Sequence, residues 1–336
     1  MPAPTPLPTT ALGRTGMDIT RVGFGAWAIG GGGWRYAWGE QDDAASVAAI
    51  RHAVEQGVNW IDTAGAYGYG HSEEVVARAL ADLPEADRPY VFTKGGLRPV
   101  DGDPTLEPRR VGDAASLRGE VEQSLRLLGV ERIDLYQMHW PADDCGIEDY
   151  WPVFQALVDE GKVRAIGLSN HTVAQLDAAE EIAHVGTLQP PLNLLHRDAA
   201  GDVIPWAAAH GTGVIVYSPM ASGLLTGAFT AQRAAALGDE DWRSRNPDFS
   251  GEGLARNLAL VDALRPVAER HGVGVGPVAA AWTLTVPGVS GAIVGARSPE
   301  QVDGWLPAAS LELTEADRAE IAAALTATGA GEGPVL

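Results

Sequence analysis

The stretch WIDTAGAYGYGHSEE, residues 60–74, ends a short apolar run at Asp62 and places Tyr67 on a loop too glycine-rich to serve packing alone. Two more such runs end in a reactive side chain: FTKGG carries Lys94 and YQMHWP carries His139. These four types make chemical sense together. A phenol, with a pKa of about 10, acts as a general acid near neutrality when that pKa is lowered. A neighbouring ammonium lowers it by stabilising the phenolate. A carboxylate beside the ammonium holds it charged and in place, and a histidine on the adjacent strand orients a substrate carbonyl by hydrogen bonding. Such a set protonates an oxygen while another group delivers a hydride. Each residue alone has a plainer reading: Asp62 and Thr63 as a cap, Lys94 as a solvated charge, Tyr67 as a surface ring, His139 and Trp140 as a packed aromatic pair. Their recurrence at successive run ends favours chemistry.

Bringing four side chains to one rim requires a particular architecture. Eight short apolar runs recur along the chain: RVGFGAW, VNWIDTA, YVFTKGG, IDLYQMHW, VRAIGLSN, GTLQPPLN, GVIVYSP and SGAIVGA. Apolar residues at helical spacing between them predict helices over 43–56, 72–82, 114–128, 149–160, 172–183, 201–210, 253–271, 276–286 and 299–304. Strict alternation of strand and helix implies parallel strands with helical crossovers. Eight such units in 336 residues imply a closed (β/α)8 TIM barrel, whose strands present their C-terminal ends at the reactive rim. ALGRTGMDITRV, residues 11–22, predicts a hairpin with a turn at Gly16 that closes the barrel bottom. TEADRAEIAAAL, residues 314–325, predicts a late helix with Thr314 as N-cap and Asp317 as capping-box acid. The long insertion after the seventh strand, 227–252, reads as a lid or a disordered segment. The expected organisation is a flexible lead-in over 1–10 and a single barrel domain over 11–330.

Composition narrows the partners. The formal net charge is −20, from 24 basic and 44 acidic residues, which argues against nucleic acid or an anionic membrane as partner. Cys145 is the single cysteine, so an internal disulfide and a cysteine-rich metal site are excluded, and no metal site is expected. A lone thiol fits a reducing cytoplasm. The N-terminus MPAPTPLPTT lacks the basic and apolar regions of a signal peptide, and no apolar run is long enough to span a bilayer. A cytoplasmic location follows as the expectation; the oligomeric state is left open.

The stretches GFGAW, WIDTAGAYGYGHSEE, TKGG, QMHWP, GKVRAIGLSN, YSPMASGLLTG and IVGARSPEQV run in order from about residue 11 to 325, and with them the chain resembles the aldo-keto reductases. The resemblance lies in the bacterial branch that also resembles potassium-channel β subunits. It implies that Asp62, Tyr67, Lys94 and His139 form the family's tetrad, with Tyr67 the proton donor. It also implies NADP(H), with NADH possible, lying extended across the barrel mouth. By that resemblance Ser169, Asn170 and Gln189 hold the nicotinamide carboxamide and Tyr217 stacks on its ring. Ser218, Pro219, Met220, Ala221 and Ser222 cover the pyrophosphate, with Ala26, Trp27 and Asp62 also at the cofactor. Gly295, Ala296, Arg297 and Gln301 take the adenosine 2′-phosphate, and Arg243 is a basic residue of the long loop that folds over the cofactor. Two positions depart from the family: Ala228 stands where many relatives have lysine, and Gly304–Trp305 where many have Glu-Asn. Cofactor choice is therefore expected to rest on Arg297 and Arg243, while Trp305 either stacks on adenine or fills space. Substrate is expected against Trp27, Tyr67, His139 and Trp140, in a mouth that Trp34, Tyr36 and Trp38 also approach; aromatic walls suit sugars or flat rings. The implied activity is interconversion of a small-molecule aldehyde, ketone or sugar with an alcohol. Two other readings stay open: a Schiff-base aldolase using Lys94, and a cofactor-binding redox sensor or accessory subunit.

Overall fold

The computed structural model describes residues 6–336. The chain opens with a hairpin, β1 (Thr9–Ala11) against β2 (Asp18–Thr20), and enters the barrel at β3 (Val22–Gly25). There follow α1 (Asp43–Glu55), β4 (Trp60–Asp62), α2 (His71–Leu80), β5 (Tyr90–Gly95), a second small hairpin of β6 (Leu97–Arg98) and β7 (Arg109–Arg110), and α3 (Ala114–Leu128). Next come β8 (Ile133–Met138), α4 (Ile147–Asp159), β9 (Val163–Ser169), α5 (Val173–Glu180), β10 (Thr187–Gln189), α6 (Val203–His210) and β11 (Gly213–Tyr217). The chain ends with α7 (Ala231–Ala235), α8 (Gly251–Ala263), α9 (Arg265–Arg270), α10 (Val275–Thr283), β12 (Val289–Gly295), α11 (Pro299–Trp305) and α12 (Glu315–Thr328). Strands β3, β4, β5, β8, β9, β10, β11 and β12 close a parallel barrel in that order, β12 pairing back to β3. The expected TIM barrel is the observed one, strand for strand.

Two details differ from expectation. The hairpin starts at Thr9, so part of the 1–10 lead-in is strand; two β-branched threonines favour pairing with Ile19 and Thr20 over a flexible tail. Residues 1–5 of that lead-in lie outside the described residues. The helix expected over 253–271 is two, α8 and α9, because Pro266 lacks the N–H that a continuous helix needs there. The expected capping box of the last helix does form: Asp317 Oδ2 accepts from Thr314 N–H at 2.9 Å and Thr314 Oγ1 accepts from Asp317 N–H at 3.2 Å.

The period of two along each strand separates two cores. Outward residues such as Ile61 and Tyr136 pack under the helices, while Trp60, Phe92, Leu135, Ala165, Ile215 and Ile293 face inward as a buried layer. Leu12, Met17 and Ile19 of the hairpin plug the barrel below that layer. The next inward positions up each strand are Asp62, Lys94 and Gln137, so alternation itself lifts the polar set onto an apolar floor. Trp60 spans the floor, its indole N–H donating to Thr20 O at 2.8 Å and its ring 5.4 Å from that of Phe92. Gly23 makes room for it, since a Cβ there would stand 2.1 Å from Trp60 Cε2. Gly23→Ala is expected to cost about 1–3 kcal/mol by overpacking, read as a lower urea midpoint at unchanged m. An unchanged midpoint would mean that the Trp60 ring yields freely.

Candidate active site

Register brings the candidate side chains to neighbouring positions on the rim: Asp62 pairs with Phe92 on β5, two residues before Lys94, and Lys94 pairs with Gln137 on β8. Lys94 is buried, with Nζ 2.5 Å from Asp62 Oδ1, 3.0 Å from Thr63 O and 3.5 Å from the Tyr67 hydroxyl. Asp62 Oδ2 accepts from Gln189 Nε2 at 2.9 Å, a partner the sequence reading had placed only at the cofactor. Tyr67 hangs on the loop after β4, which is tied to β5 by Thr63 N–H to Phe92 O (2.8 Å) and Gly65 N–H to Lys94 O (3.1 Å). Gly68 explains the loop's glycines: its φ is +62°, and a Cβ would stand 2.0 Å from Gly30 O. His139 follows β8, with its backbone N–H on Gly95 O at 3.0 Å and its ring 5.7 Å from that of Tyr67, nearly perpendicular to it.

The electrostatics differ from expectation at one point. Lys94 was expected to lower the Tyr67 pKa; instead burial, aided by the Asp62 charge, holds the phenol well above 10. The ammonium is engaged by Asp62 first, and Tyr67 is its most distant partner. Burial likewise pushes Asp62 up and Lys94 down, each opposed by the other's charge. Burial, then the Lys94 charge, holds His139 well below 6.5, so its imidazole is neutral, and its Nδ1 is buried with no protein partner.

A cavity of about 790 Å³ opens above this set and runs across the rim. Its wall includes Ala26, Trp27, Asp62, Tyr67, His139, Trp140, Ser169, Asn170, Gln189 and Tyr217. Farther along it are Ser218, Pro219, Met220, Ser222, Arg243, Gly295, Ala296, Arg297 and Gln301. Ala221 and Lys94 are the exceptions, both buried behind the lining residues. Hydrogen bonds order the middle of this wall. Asn170 Nδ2 donates to Ser169 Oγ and to His139 O, both at 3.0 Å, and Tyr217 O–H donates to Asn170 Oδ1 at 2.8 Å. Ser169 O–H donates to Gln189 O at 2.8 Å. Asn170, Ser218 and Ser222 have φ of 63°, 56° and 54°, a strained geometry concentrated along the cavity.

The 227–252 insertion is ordered and reaches across the mouth. Trp38 and Asp241 form an antiparallel bridge, and Arg245 Nη2 donates to Arg35 O at 2.7 Å. Trp27 is stacked 5.1 Å from Trp242 and meets Trp38 edge-on at 5.4 Å. Sequence reasoning missed Trp242 as a wall partner, although it stands in the 227–252 insertion. It also passed over Glu107 and Arg110, which line the cavity near Trp140; the Arg110 guanidinium lies 4.5 Å above the Trp140 ring. Trp305 is 1 % exposed and its ring borders the cavity beside Gly304, a position open to either of its expected roles. At the start of α11, where the 2′-phosphate was expected, Pro299 and Glu300 stand in the first turn of a short helix.

Comparison with known proteins agrees with this geometry. The Aldo/keto reductase family pattern matches residues 21–326. The chain is 36% identical to aldo-keto reductase YhdN of Bacillus subtilis (strain 168), over 93% of this chain and 92% of that one. It is 32% identical to the NADH-specific methylglyoxal reductase of Escherichia coli (strain K12), over 91% and 94%. The solved structure of the glycerol dehydrogenase AKR11B4 from Gluconobacter oxydans superposes with a TM-score of 0.87 at 38% identity, covering 98% of both chains. With that pattern running through nearly the whole of a chain folded as this barrel, the protein belongs to the aldo/keto reductase family.

Proposed function

We propose that this aldo/keto reductase, an oxidoreductase of carbonyls and alcohols, works with NADP(H) and uses Tyr67 as its proton donor. The observation that carries the reading is the contact chain Tyr67–Lys94–Asp62, with His139 facing the phenol across the cavity. The residues present suit a nicotinamide dinucleotide. Ser169, Asn170 and Gln189 offer neutral donors and acceptors for a carboxamide, and the strained backbone at Ser218 and Ser222 lines the same wall. The nicotinamide, when bound, supplies or takes the hydride. Tyr67 gives its proton to the carbonyl oxygen, and the resulting phenolate is stabilised by the Lys94 ammonium. Neutral His139 orients that oxygen by hydrogen bonding. The aromatic mouth formed by Trp27, Trp34, Tyr36 and Trp140 suits small carbonyls, polyols or sugars, in keeping with relatives named for methylglyoxal and glycerol. A Schiff-base role for Lys94 is disfavoured, because its side chain is inaccessible and ion-paired.

The test is a panel of aldehydes, ketones, sugars and polyols assayed by dinucleotide absorbance in both directions. Dinucleotide binding without turnover of any member would favour the sensor reading. The pH profile is a second check. Reduction needs Tyr67 protonated and His139 neutral, and the raised phenol and lowered imidazole supply both states across neutrality. kcat/KM for reduction is therefore expected to stay flat from about pH 6 to 9. An inflection near the ordinary histidine value of about 6.5 would show that His139 titrates and does not act as a neutral group.

A further inference from the structure

We propose that Arg233 discriminates NADPH from NADH by binding the 2′-phosphate, an inference that rests on the cofactor reading above. Three guanidinium groups line the adenosine end of the cavity: Arg233, Arg243 and Arg297. Two of them are already committed. Arg243 is held bidentately by Asp241, with Nε 2.9 Å from Oδ1 and Nη2 2.5 Å from Oδ2, and Nη1 donates to Ser222 O at 3.3 Å. Its charge is neutralised at a site only 7 % exposed, with the guanidinium 4.6 Å from the Trp38 ring centre. Arg297 donates to Gln41 Oε1, to Glu40 O and to Trp38 O. It staples the 38–41 segment to the end of β12, which is a structural use of its donors.

Arg233 has no such commitment. Among the described residues no carboxylate pairs with it, and its side chain donates no hydrogen bond to the protein. It is nevertheless aimed: the guanidinium lies 5.7 Å from the ring of Phe229, which is 4 % exposed and packed edge-on against Phe249. Stacking on a fixed ring leaves the five N–H donors of an arginine free in its plane. Arg233 is also near enough to Arg297 for its charge to oppose protonation there, as does that of Arg243. A cluster of cations in a chain of net charge −20, balanced locally by Asp241, is the pattern expected where an anion completes the site. Glu300 also lines this end of the cavity, and among the described residues it forms no ion pair with Arg233.

The experiment is titration of the intact protein with NADPH, NADH and 2′-AMP, followed by quenching of tryptophan fluorescence, for wild type, Arg233→Ala and Arg233→Lys. An exposed charge-assisted contact to phosphate makes Arg233→Ala expected to weaken NADPH roughly tenfold and NADH less than about twofold. 2′-AMP should lose affinity in parallel with NADPH, and Arg233→Lys should keep part of the preference. The wild-type Kd for NADPH should also rise more steeply with salt than that for NADH, and Arg233→Ala should remove that difference. An unchanged NADPH Kd in Arg233→Ala, or equal weakening of both dinucleotides, would overturn the assignment. Failure of wild type to bind either dinucleotide would instead remove the cofactor reading, and this inference with it.

Discussion

Replacing Tyr67 with Phe is expected to lower kcat/KM for carbonyl reduction by roughly a hundred- to ten-thousandfold, the usual worth of a positioned general acid. Only the hydroxyl is lost. The ring stays packed 6.3 Å from Trp27 and 6.2 Å from Trp34, so the loop after β4 keeps its place. The Lys94–Asp62 pair keeps its short contact, because the tyrosine is the farthest of the three ammonium partners. The loss should therefore fall on kcat, with dinucleotide Kd changed by no more than about twofold. Steady-state kinetics on the best carbonyl of the panel, beside a binding titration, separate the two. A variant that retains most of its kcat would mean that the proton comes from elsewhere, with Lys94 and His139 the donors left beside that position.

Asp62, Lys94 and His139 were legible because each closes an apolar run, and the period of two then fixes which way the last inward residue faces. The eight strands were legible for the same reason, and Pro266 was a readable break in the α8–α9 stretch that the helical spacing overrode. What could not be read were contacts made by loops far apart in the chain. Trp27, Trp38 and Trp242 meet through the closure of two loops, and nothing in their local sequence encodes that meeting. Gln189 is similar: its bond to Asp62 spans the barrel interior between β10 and β4. The state of Tyr67 was misjudged because burial was left out and the carboxylate was counted as holding the ammonium in place, not as cancelling its field. Desolvation outweighs an ammonium whose field is largely cancelled by a carboxylate 2.5 Å away. The arginines show the same limit. Arg243 and Arg297 stood out as cations in recognisable motifs, yet their donors are engaged by Asp241 and by the 38–41 segment, and that engagement exists only in the fold.

Lys94→Met is expected to damage both catalysis and the fold, and pH separates the two effects. Methionine fills the same buried volume but leaves Asp62 with Gln189 as its remaining side-chain partner. Breaking a buried pair from one side typically costs about 3–5 kcal/mol. Asp62 relieves part of that by holding a proton, since burial already pushes its carboxyl up and the opposing Lys94 charge is gone. The sign follows from linkage. A carboxyl whose folded pKa lies above its unfolded value of 3.8 favours folding fully below the unfolded pKa, and loses that contribution as pH rises through the folded one. The deficit of Lys94→Met against wild type should therefore be small in acid and grow with pH until Asp62 is ionised in both states. Adding Asp62→Asn removes the orphaned charge, so the double variant should regain most of the stability at about pH 8, where the acid form of an ordinary carboxyl is negligible. It should regain no activity, because the phenolate formed at Tyr67 still lacks a cation beside it. Urea unfolding across pH for both variants, with kcat measured where each is folded, gives the comparison. A pH-independent deficit would mean that Asp62 stays solvated in the variant, and recovery of kcat in the double variant would mean that Lys94 serves only to neutralise Asp62.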